Sequence, residues 1–537
     1  MPKNEKKAIN EFDSPYLKKR MTRRKALSTA AKIGIGVAVT GIVAGVGGYY
    51  AGSVTAPGKT VTITKPTTVT TTITKTVTTA AVTTPTKPKK DFTGVKLRYM
   101  SMSGPPSDMV KYAAPILKKM YGMEIEVLHY PWEVTWSKLT TEFVAGKVSY
   151  DFVWFDTVMM PAIAELGILQ PLDDLVERDR AELPPVEDLV PIHWDYAHYE
   201  GKIYGWPNSC NYNNFWVRKD LFEDPKEQEN FERQYGYPLT DFLKQPDWLK
   251  FNDVIEFFHR PPDLYGYVQP LCWPQLCFPA WHTRWFTCTG VPEIDENWEP
   301  YWDRMGKNGI LSIELLKYQL KFMPPGVLAM DNPDALAVYL EGKAAVMSGW
   351  DQFCLFKLED PSVSKVVGKN LHLPPIGGPK GHCIYTNIGG LFYITTAAKG
   401  IKREAAWEAI KFMCSPDFEV KRVIPTGQTP ETKSGWKRLM QEHPELPIDH
   451  IFEYITHSAG CAYGPFFGDY VTGFKDNIAP AVAGEKDSEK ALKDLAEVYR
   501  KAYEPYRKAG KKNVHGLKIP QWKGPDYTED LCKQIGL

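Results

Sequence analysis

A regular alternation of strand-like and helix-like segments begins after residue 93 and constrains the fold more than any other feature of the chain. Short apolar or alternating runs predict strands, and longer runs with apolar residues on one helical face predict helices. In chain order the segments are GVKLRYMSM (strand), SDMVKYAAPILKKMYG (helix), MEIEVLHY (strand), WSKLTTEFVAGK (helix), YDFVWF (strand) and VMMPAIAELG (helix). Helices of this length between strands predict a mostly parallel α/β sheet covered on both faces.

The end of the third predicted strand carries side chains suited to a ligand. Phe155, Asp156 and Thr157 stand at the junction between this strand and the next helix. In open α/β sheets, ligands bind beyond the carboxyl ends of the strands. Asp156 could accept hydrogen bonds from a ligand, or it could cap the helix, since Asp is favoured at that position. Thr157 could cap the helix in its place.

The first 92 residues differ in composition from the rest and predict a membrane tether. Basic residues precede an uncharged stretch over residues 33–51. As a helix this stretch would rise about 28 Å, close to the hydrocarbon thickness of a bilayer, and the basic flank places the N-terminus inside the cell. Residues 53–90 contain sixteen Thr and four Pro without an acidic residue. This composition is typical of a disordered, O-glycosylated stalk.

The N-terminal part leaves two alternatives open. Residues 22–28, TRRKALS, resemble a twin-arginine export signal, although Arg23 and Arg24 also fit ordinary flanking charge. KALS within this segment also resembles an archaeal pilin-type processing site, but Lys32 interrupts the apolar stretch early. We favour an uncleaved helix, because a small-x-small cleavage site is poorly defined.

Five blocks in order along the chain resemble a known family. They are DFVWFDTVMMPAIAELGILQPLDDL (151–175), YEGKIYGWPNSCNYNNFWVRKDLF (199–222), EGKAAVMSGWDQF (341–353), TNIGGLFYITTAAKGIKREAAWEAIKFMCSPDFEVK (386–421) and TGQTPETKS (426–434). The chain from about residue 93 to about residue 505 resembles the extracellular solute-binding proteins of sugar ABC transporters, which include maltose-, maltodextrin- and trehalose-binding proteins. With its N-terminal anchor and Thr-rich stalk, it resembles the archaeal type of this family.

The resemblance implies a two-lobed periplasmic-binding-protein (Venus flytrap) fold of α/β class, whose crossing hinge strands let the lobes close on a sugar. A transmembrane helix and a disordered stalk would precede it. The chain would leave the first lobe near Trp206 and Pro207 and return near Leu371. The expected segments are a cytoplasmic export-signal segment (1–32), a transmembrane helix (33–52), a stalk (53–92), lobe I (93–206 and 371–426) and lobe II with the C-terminal helices (207–370 and 427–537).

The resemblance also implies a function and a ligand site. The protein would be the extracellular, membrane-anchored component of an ABC importer, delivering a sugar or oligosaccharide to permease subunits without a cofactor, metal or catalytic residue. Sugars present apolar faces and hydroxyl rims, so their sites combine aromatic rings with polar groups. The expected ligand-binding residues are Trp132, Phe155, Asp156, Thr157, Asn211, Gln269, Trp273, Trp350 and Gly390. Asn211 stands where many relatives carry an acidic residue, whereas Trp407, on a predicted helix, is expected in the core.

The cysteines predict a disulfide. Cys272, Cys277 and Cys288 lie within residues 266–290, which resemble the ligand region of the family's second lobe. An exported compartment favours disulfides, and C-x-x-C spacings that would indicate a metal are absent. We therefore expect a bridge among these three residues. Nine cysteines cannot all pair within one chain, so at least one is a free thiol, and we expect it to be Cys532.

The net charge and the absence of catalytic motifs make nucleic-acid binding and enzymatic activity less favoured functions. A net charge of +1 offers no general attraction for nucleic acid. The sequence contains no G-x-S-x-G, H-E-x-x-H or phosphate-loop motif, and a pair of glycosidase carboxylates cannot be located, so we do not expect an enzyme. The alternatives left open are a secreted, membrane-anchored glycoside-acting enzyme and a binder of a non-sugar solute such as a peptide.

Overall fold

The structure, a computed structural model, describes residues 90–273, 276–385, 389–460 and 464–537. The expected export segment with Arg23 and Arg24, the membrane helix and nearly all of the stalk lie outside these ranges. Within the described part, no helix combines the length and apolar character that crossing a bilayer requires. Residues Phe92–Leu537 form one compact unit.

Strands and helices alternate through the described ranges. The strands are β1 Lys96–Met102, β2 Glu124–Tyr130, β3 Phe152–Asp156, β4 His198–Tyr199, β5 Lys202–Ile203, β6 Gly205–Ser209, β7 Asn213–Arg218, β8 Tyr265–Val268, β9 Ala344–Trp350, β10 Asn370–His372, β11 Ile384–Tyr385, β12 Gly390–Ile394 and β13 Ser458–Ala459.

The α-helices fill the intervals between the strands and most of the C-terminal part. They are α1 Pro105–Tyr121, α2 Trp132–Val144, α3 Met160–Glu165, α4 Asp173–Arg178, α5 Pro191–Tyr196, α6 Lys219–Phe222, α7 Pro225–Tyr235, α8 Leu239–Lys244, α9 Trp248–Phe257, α10 His282–Thr289, α11 Gly306–Gln319, α12 Asn332–Leu340, α13 Asp351–Leu358, α14 Ile401–Met413, α15 Pro416–Lys421, α16 Val423–Thr426, α17 Lys433–Glu442, α18 Ile451–Thr456, α19 Phe467–Val482, α20 Ser488–Lys508 and α21 Thr528–Ile535.

Short helices of other types join these elements. A π-helix spans Leu276–Trp281, and single 3-10 turns span Thr157–Met159, Arg180–Glu182, Val186–Asp188, Leu320–Phe322 and Val327–Ala329.

The first sheet contains the predicted parallel strands, in the order β2-β1-β3-β12-β6. β1 runs parallel to β2 and β3, as the alternation of strands and helices predicts. β12 comes from much later in the chain and lies antiparallel between β3 and β6, with Gly390 opposite Asp156. All five residues of β3 are buried. Because successive side chains of a strand point to opposite faces, the sheet is covered on both sides at β3.

The second sheet has the order β10-β7-β9-β8, with β9 antiparallel to β7 and parallel to β8. The expected return to the first lobe near Leu371 is wrong, because Leu371 pairs with Val217 in this sheet. The chain rejoins the first sheet only at Gly390. The expected exit at Trp206 and Pro207 is also too early, since β6 continues to Ser209. A short apolar strand does not reveal from its sequence which of two sheets it joins.

Three segments lie where the two sheets and their helices meet, and we refer to them together as the hinge. They are the first crossing (residues 209–213), the stretch between Tyr385 and Gly390, whose residues 386–388 lie outside the described ranges, and the third crossing (residues 427–433). The first and third lie side by side: the backbone N–H of Cys210 donates to the carbonyl of Pro430 at 3.3 Å, and Thr429 Oγ1 donates to the carbonyl of Cys210 at 2.7 Å. In two-lobed proteins that close around a ligand, a few residues of such connecting segments absorb the change in backbone angles.

Buried charged groups fix the third crossing. The Glu419 carboxylate accepts hydrogen bonds from the backbone N–H groups of Glu431, at 3.0 Å, and Thr432, at 3.3 Å. The Arg422 guanidinium donates to the carbonyl of Thr429 at 2.9 Å. Burial raises the pKa of the Glu419 carboxyl to about 7. The carboxyl group that holds the third crossing therefore has a pKa above its ordinary value of 4.5.

The C-terminal helices contact both lobes. Arg500 of α20 pairs with Asp303 at 2.7 Å, beside the α10 and α11 region. Near the end of the same helix, the hydroxyl of Tyr506 lies 2.8 Å from that of Tyr199, just before the first crossing. Trp407 of α14 is fully buried and lies edge-on to Trp206, which confirms its expected place in the core.

The cysteine expectation requires a correction. Cys288 is a free thiol and is fully buried in α10, so it does not take part in the expected bridge. Burial raises the pKa of the Cys288 thiol well above its usual range. Cys272 is also a reduced thiol, so it does not form the expected bridge either, and the side chain of Cys277 lies outside the described residues. Cys532 is a free thiol as expected, but it is buried in α21.

Candidate ligand-binding site

Asp156 lies at the carboxyl end of β3, level with Gly390 and Ser209 at the edge of the first sheet that leads into the hinge. Its side chain is only 1% exposed. Oδ2 of Asp156 accepts a 2.5 Å hydrogen bond from Nε1 of Trp132, the first residue of α2. Hydrogen bonds to ionised acceptors are the stronger kind, so this contact holds the carboxylate in one orientation.

The alternative role of Asp156 as a helix cap is wrong. Asp156 occupies the N-cap position of the 3-10 turn Thr157–Met159, but its side chain makes no capping hydrogen bond. Its carboxylate meets the Trp132 indole instead of the backbone N–H groups of the turn. Thr157 is fully buried inside the turn and does not occupy the cap position either. The carboxylate of Asp156 is therefore held by a side chain of α2 rather than by the turn that it precedes.

Trp132 joins Asp156 to the C-terminal part of the chain. Its ring lies edge-on to the ring of Phe467, with centroids 6.2 Å apart, and Trp136 approaches the same ring at 5.1 Å. Phe467 is the first residue of α19. An aromatic contact between the first lobe and α19 therefore lies directly beside Asp156.

Phe155 and Gly390, two of the expected ligand residues, are engaged in packing. The buried ring of Phe155 stacks on Tyr393, with centroids 3.9 Å apart and planes inclined by 6°. A Cβ atom at Gly390 would lie 1.6 Å from Cζ2 of Trp154. Both residues thus shape the sheet edge that presents Asp156, and a contact of either with a ligand stays a proposal.

Trp350 is the last residue of β9 and marks the carboxyl edge of the second sheet. It is 4% exposed, and its ring lies edge-on to Tyr385 at 6.2 Å. The next residue, Asp351, accepts a hydrogen bond from the backbone N–H of Tyr212, at 3.2 Å, in the first crossing. Burial raises the pKa of the Asp351 carboxyl well above its usual range. Asp351 therefore couples the position of Trp350 to the hinge.

Gln269 follows β8 and belongs to the same edge, because β8 and β9 are parallel. Its Oε1 accepts a hydrogen bond from the Tyr267 hydroxyl at 2.9 Å, and its Nε2 donates to Ser348 Oγ at 3.3 Å and to Asn213 Oδ1 at 3.4 Å. The amide is 1% exposed. These bonds orient the amide within the second sheet.

Asn211 and Trp273 lie apart from the two sheet edges. Asn211 is fully buried in the first crossing, where its Oδ1 accepts a 3.3 Å hydrogen bond from Thr429 of the third crossing. This contact places Asn211 in the hinge. Trp273 is half-buried and immediately precedes residues 274–275, which lie outside the described ranges.

Apart from Trp273, and from Asn211 in the first crossing, the expected residues therefore fall into two groups, one at the carboxyl edge of each sheet. Sequence reasoning missed Phe467, Tyr385 and Asp351. Asp351 stands directly after Trp350 in a recognised block, but Phe467 lies beyond the five blocks, and only its aromatic run, Phe466 and Phe467, marks it. Within the described ranges no three His, Cys, Asp or Glu side chains group in a way that could hold a metal ion.

Solved structures with a similar fold include two ABC transporter solute-binding proteins and a maltose-bound MalE3. A ribitol complex of an ABC transporter solute-binding protein from Agrobacterium radiobacter has a TM-score of 0.65 and 20% identity, covering 77% of this chain and 100% of that one. Maltose-bound MalE3 of T. maritima has a TM-score of 0.63 and 18% identity, covering 76% and 100%. A D-mannitol-bound solute-binding protein from Agrobacterium vitis has a TM-score of 0.60 and 19% identity, covering 78% and 100%.

The sequence comparison agrees with this architecture. No curated protein sequence matches the chain. Residues 111–435 match the family model described as bacterial extracellular solute-binding protein, which is more than half of the 537 residues. With this match and the shared two-lobed α/β fold, the chain belongs to the family of bacterial extracellular solute-binding proteins.

Proposed function

We propose that the protein binds a sugar or oligosaccharide between its two lobes, outside the cell, and delivers it to the permease subunits of an ABC importer. The observation that carries this proposal is the Trp132–Asp156 pair, an indole hydrogen-bonded to a buried carboxylate at the carboxyl end of β3. Sugar sites use such a combination, because the ring covers an apolar sugar face while the carboxylate accepts hydroxyl hydrogen bonds.

Ligand capture would use both sheet edges. Trp132, Phe155, Asp156, Thr157 and Gly390 would act from the first lobe, Gln269, Trp273 and Trp350 from the second, and Asn211 from the hinge. The aromatic contact of Trp132 with Phe467 supports a closed arrangement in which the C-terminal helix α19 meets the first lobe beside Asp156. The sugars and polyols in the solved relatives support this class of ligand for the present chain.

We also propose that the binding unit is tethered to the membrane in the archaeal manner. Residues 33–51 are uncharged and long enough to span, and the Thr-rich segment 53–90 would lift Phe92–Leu537 away from the surface. Arg23 and Arg24 would belong to a twin-arginine export signal.

A thermal-shift screen of the full chain against neutral sugars and polyols tests the proposal. A ligand at 100 times its dissociation constant should add about 2.7 kcal/mol to the free energy of unfolding. Sugar analysis after the incubation distinguishes the enzyme alternative: a binding protein returns the sugar unchanged, whereas a glycosidase releases a shorter product. Stabilisation by peptides and by none of the sugars would overturn the sugar assignment.

A further inference from the structure

A cavity of about 330 Å³ lies beside the start of the β11–β13 pair. Its walls include Gln245, His382, His457, Gln521, Trp522 and Lys523. Gln245, Gln521 and Lys523 are exposed, and both histidines are half-buried, so the cavity is open to solvent. A ligand from solution can therefore reach the two imidazoles.

The pairing of β11 with β13 brings these histidines together. His382 comes two positions before β11, and His457 comes directly before β13. The backbone N–H of Ile384 donates to the carbonyl of His457 at 3.0 Å, so the two segments already meet at this point. The ring centroids of the histidines lie 4.4 Å apart, with planes inclined by 47°. Two imidazoles from distant segments are therefore in contact in the cavity wall.

A hydrogen bond to a backbone carbonyl fixes the proton on each ring. Nε2 of His382 donates to the carbonyl of Pro375 at 3.0 Å, and Nδ1 of His457 donates to the carbonyl of Glu453 at 2.9 Å. A carbonyl oxygen only accepts, so each of these nitrogens carries a hydrogen. In the neutral rings the lone pairs therefore lie on Nδ1 of His382 and Nε2 of His457.

These two unprotonated nitrogens are open to a ligand. Within the described ranges neither has a hydrogen-bond partner, and neither is fully buried. Histidines that bind metals usually donate their other ring N–H to a carboxylate or a backbone carbonyl, as both rings do here. Ligand nitrogens about 2.0 to 2.1 Å from one ion lie roughly 3 Å apart. Rings whose centroids are 4.4 Å apart permit that separation.

The surroundings favour the neutral form of His382. Burial lowers the pKa of His382, and the neighbouring His457 lowers it further. Of the two nearby charged groups, Glu453 raises this pKa and Lys523 lowers it, so their effects oppose each other. A metal ligand must be unprotonated, and a histidine with a lowered pKa meets this condition at neutral pH.

The rest of the wall offers an oxygen acceptor. Nε2 of Gln521 donates to the carbonyls of Gly290, at 3.0 Å, and Ile519, at 2.7 Å, which leaves its Oε1 as an acceptor. In the described part of the chain no third His, Cys, Asp or Glu side chain completes a metal-binding group around the pair. Water would therefore complete the coordination of an ion held here, and could donate to this oxygen.

We propose that His382 and His457 form a site for one divalent transition ion of the nickel, copper and zinc class. Imidazole nitrogen favours these ions, whereas Mg²⁺ and Ca²⁺ prefer oxygen ligands. The ion would bridge the segments that lead into β11 and β13. The site contains none of the candidate ligand residues of the cleft, and it does not depend on which solute the cleft binds.

Calorimetric titration of the full chain with Ni²⁺, in detergent and without an affinity tag, tests this site. We expect one ion per chain. Affinity should fall more than about tenfold in His382→Gln and in His457→Gln, because even groups that only orient metal ligands contribute about tenfold or more. His443→Gln is the matched control, since it removes a surface imidazole that pairs with Glu445 outside the cavity, and it should keep the parental affinity.

Mapping with diethyl pyrocarbonate checks the site in the parent chain, without a substitution that could disturb folding. The reagent acylates unprotonated imidazole nitrogens, and peptide mass spectrometry reports each histidine separately. One equivalent of Ni²⁺ should slow the modification of His382 and His457 but not that of His443, and Mg²⁺ should have no effect. The proposal is overturned if Ni²⁺ leaves both rates unchanged, if it protects His443 equally, or if the two variants bind Ni²⁺ as tightly as the parent.

Discussion

Nε1 of Trp132 donates a 2.5 Å hydrogen bond to Oδ2 of Asp156, and the ring of the same tryptophan lies edge-on to Phe467 at the start of α19. One side chain thus contacts both the buried carboxylate of the first lobe and the C-terminal helix. Because Trp132 is half-buried, a ligand or a change in lobe position can alter both contacts. The following predictions concern this arrangement and the hinge behind it.

Asp156→Asn should weaken binding of the cognate sugar by about 1 to 3 kcal/mol, or roughly 5- to 150-fold, because the amide is a weaker acceptor than the carboxylate. Calorimetric titration measures the change. Asp224→Asn is a matched control, since Asp224 caps α7 through the N–H groups of Lys226 and Glu227, and Asn caps about as well. Equal affinity of the Asp156→Asn variant and the parent would remove Asp156 from the site.

Trp350→Ala should weaken sugar binding by removing a stacking surface at the edge of the second sheet. Because this ring is 4% exposed, we also expect the free energy of unfolding to fall by about 3 to 5 kcal/mol. Trp350→Phe keeps an aromatic face and should retain most of both properties. Denaturant melts and calorimetry on the two variants separate the effects, and a Trp350→Ala protein with reduced stability but parental affinity would assign Trp350 to packing alone.

Gly390→Ala should destabilise the first lobe, because the new Cβ would lie 1.6 Å from a ring atom of Trp154. We expect a loss near the upper end of the range of about 1 to 3 kcal/mol that overpacking usually costs. Gly309→Ala in α11 is the control, since its nearest neighbouring atom is 3.3 Å away at the end of the Leu492 side chain. Equal melting temperatures for the two variants would contradict the close packing at Gly390.

The buried carboxyl of Glu419 should make stability depend on pH. The unfolded chain loses this proton near the ordinary pKa of 4.5, whereas the folded chain keeps it to about 7. The folded state therefore binds more protons in this window, so the Glu419 contribution falls as pH rises from about 4.5 to 7 and is level above it. The pKa difference corresponds to about 3 kcal/mol.

Denaturant melts between pH 4 and pH 8 check the role of Glu419. Glu419→Gln should flatten the decline in stability. A smaller decline should remain, because burial also raises the pKa of Asp253 to about 6 and the pKa of Asp351 well above its usual range. Asp253→Asn is the comparison variant, and it should remove only the part of the decline in stability that comes from Asp253. A decline in Glu419→Gln as steep as in the parent would show that another group is responsible.

The full chain should sediment with membranes, because residues 33–51 can span a bilayer as a helix. A chain without residues 1–91 should be soluble and should bind the same sugar with parental affinity, since Phe92–Leu537 forms a compact unit of its own. Fractionation and calorimetry on both forms make the comparison. Loss of binding in the shorter chain would place part of the stalk within the fold.

The sequence by itself determined the class of fold, because strand and helix periods are local properties. The alternating segments from GVKLRYMSM to VMMPAIAELG predicted a parallel sheet, and the structure has β1 parallel to β2 and β3. Asp156 was located by the same means, since the carboxyl end of a strand can be found from the strand pattern alone. The five blocks that resemble the family further predicted two lobes joined by a hinge.

Only the tertiary structure decided which strands share a sheet and what each candidate side chain touches. Leu371 and Gly390 have similar apolar surroundings in the sequence, yet one joins the second sheet and the other the first. The Asp156 carboxylate bonds to an indole rather than to the backbone of the next turn because of a tryptophan 24 positions earlier in the chain. Phe467 contacts Trp132 because α19 packs against the first lobe at this point. Such contacts form when segments that are distant in the sequence bury their apolar faces against each other. The local sequence pattern of one segment does not identify the segment against which it packs.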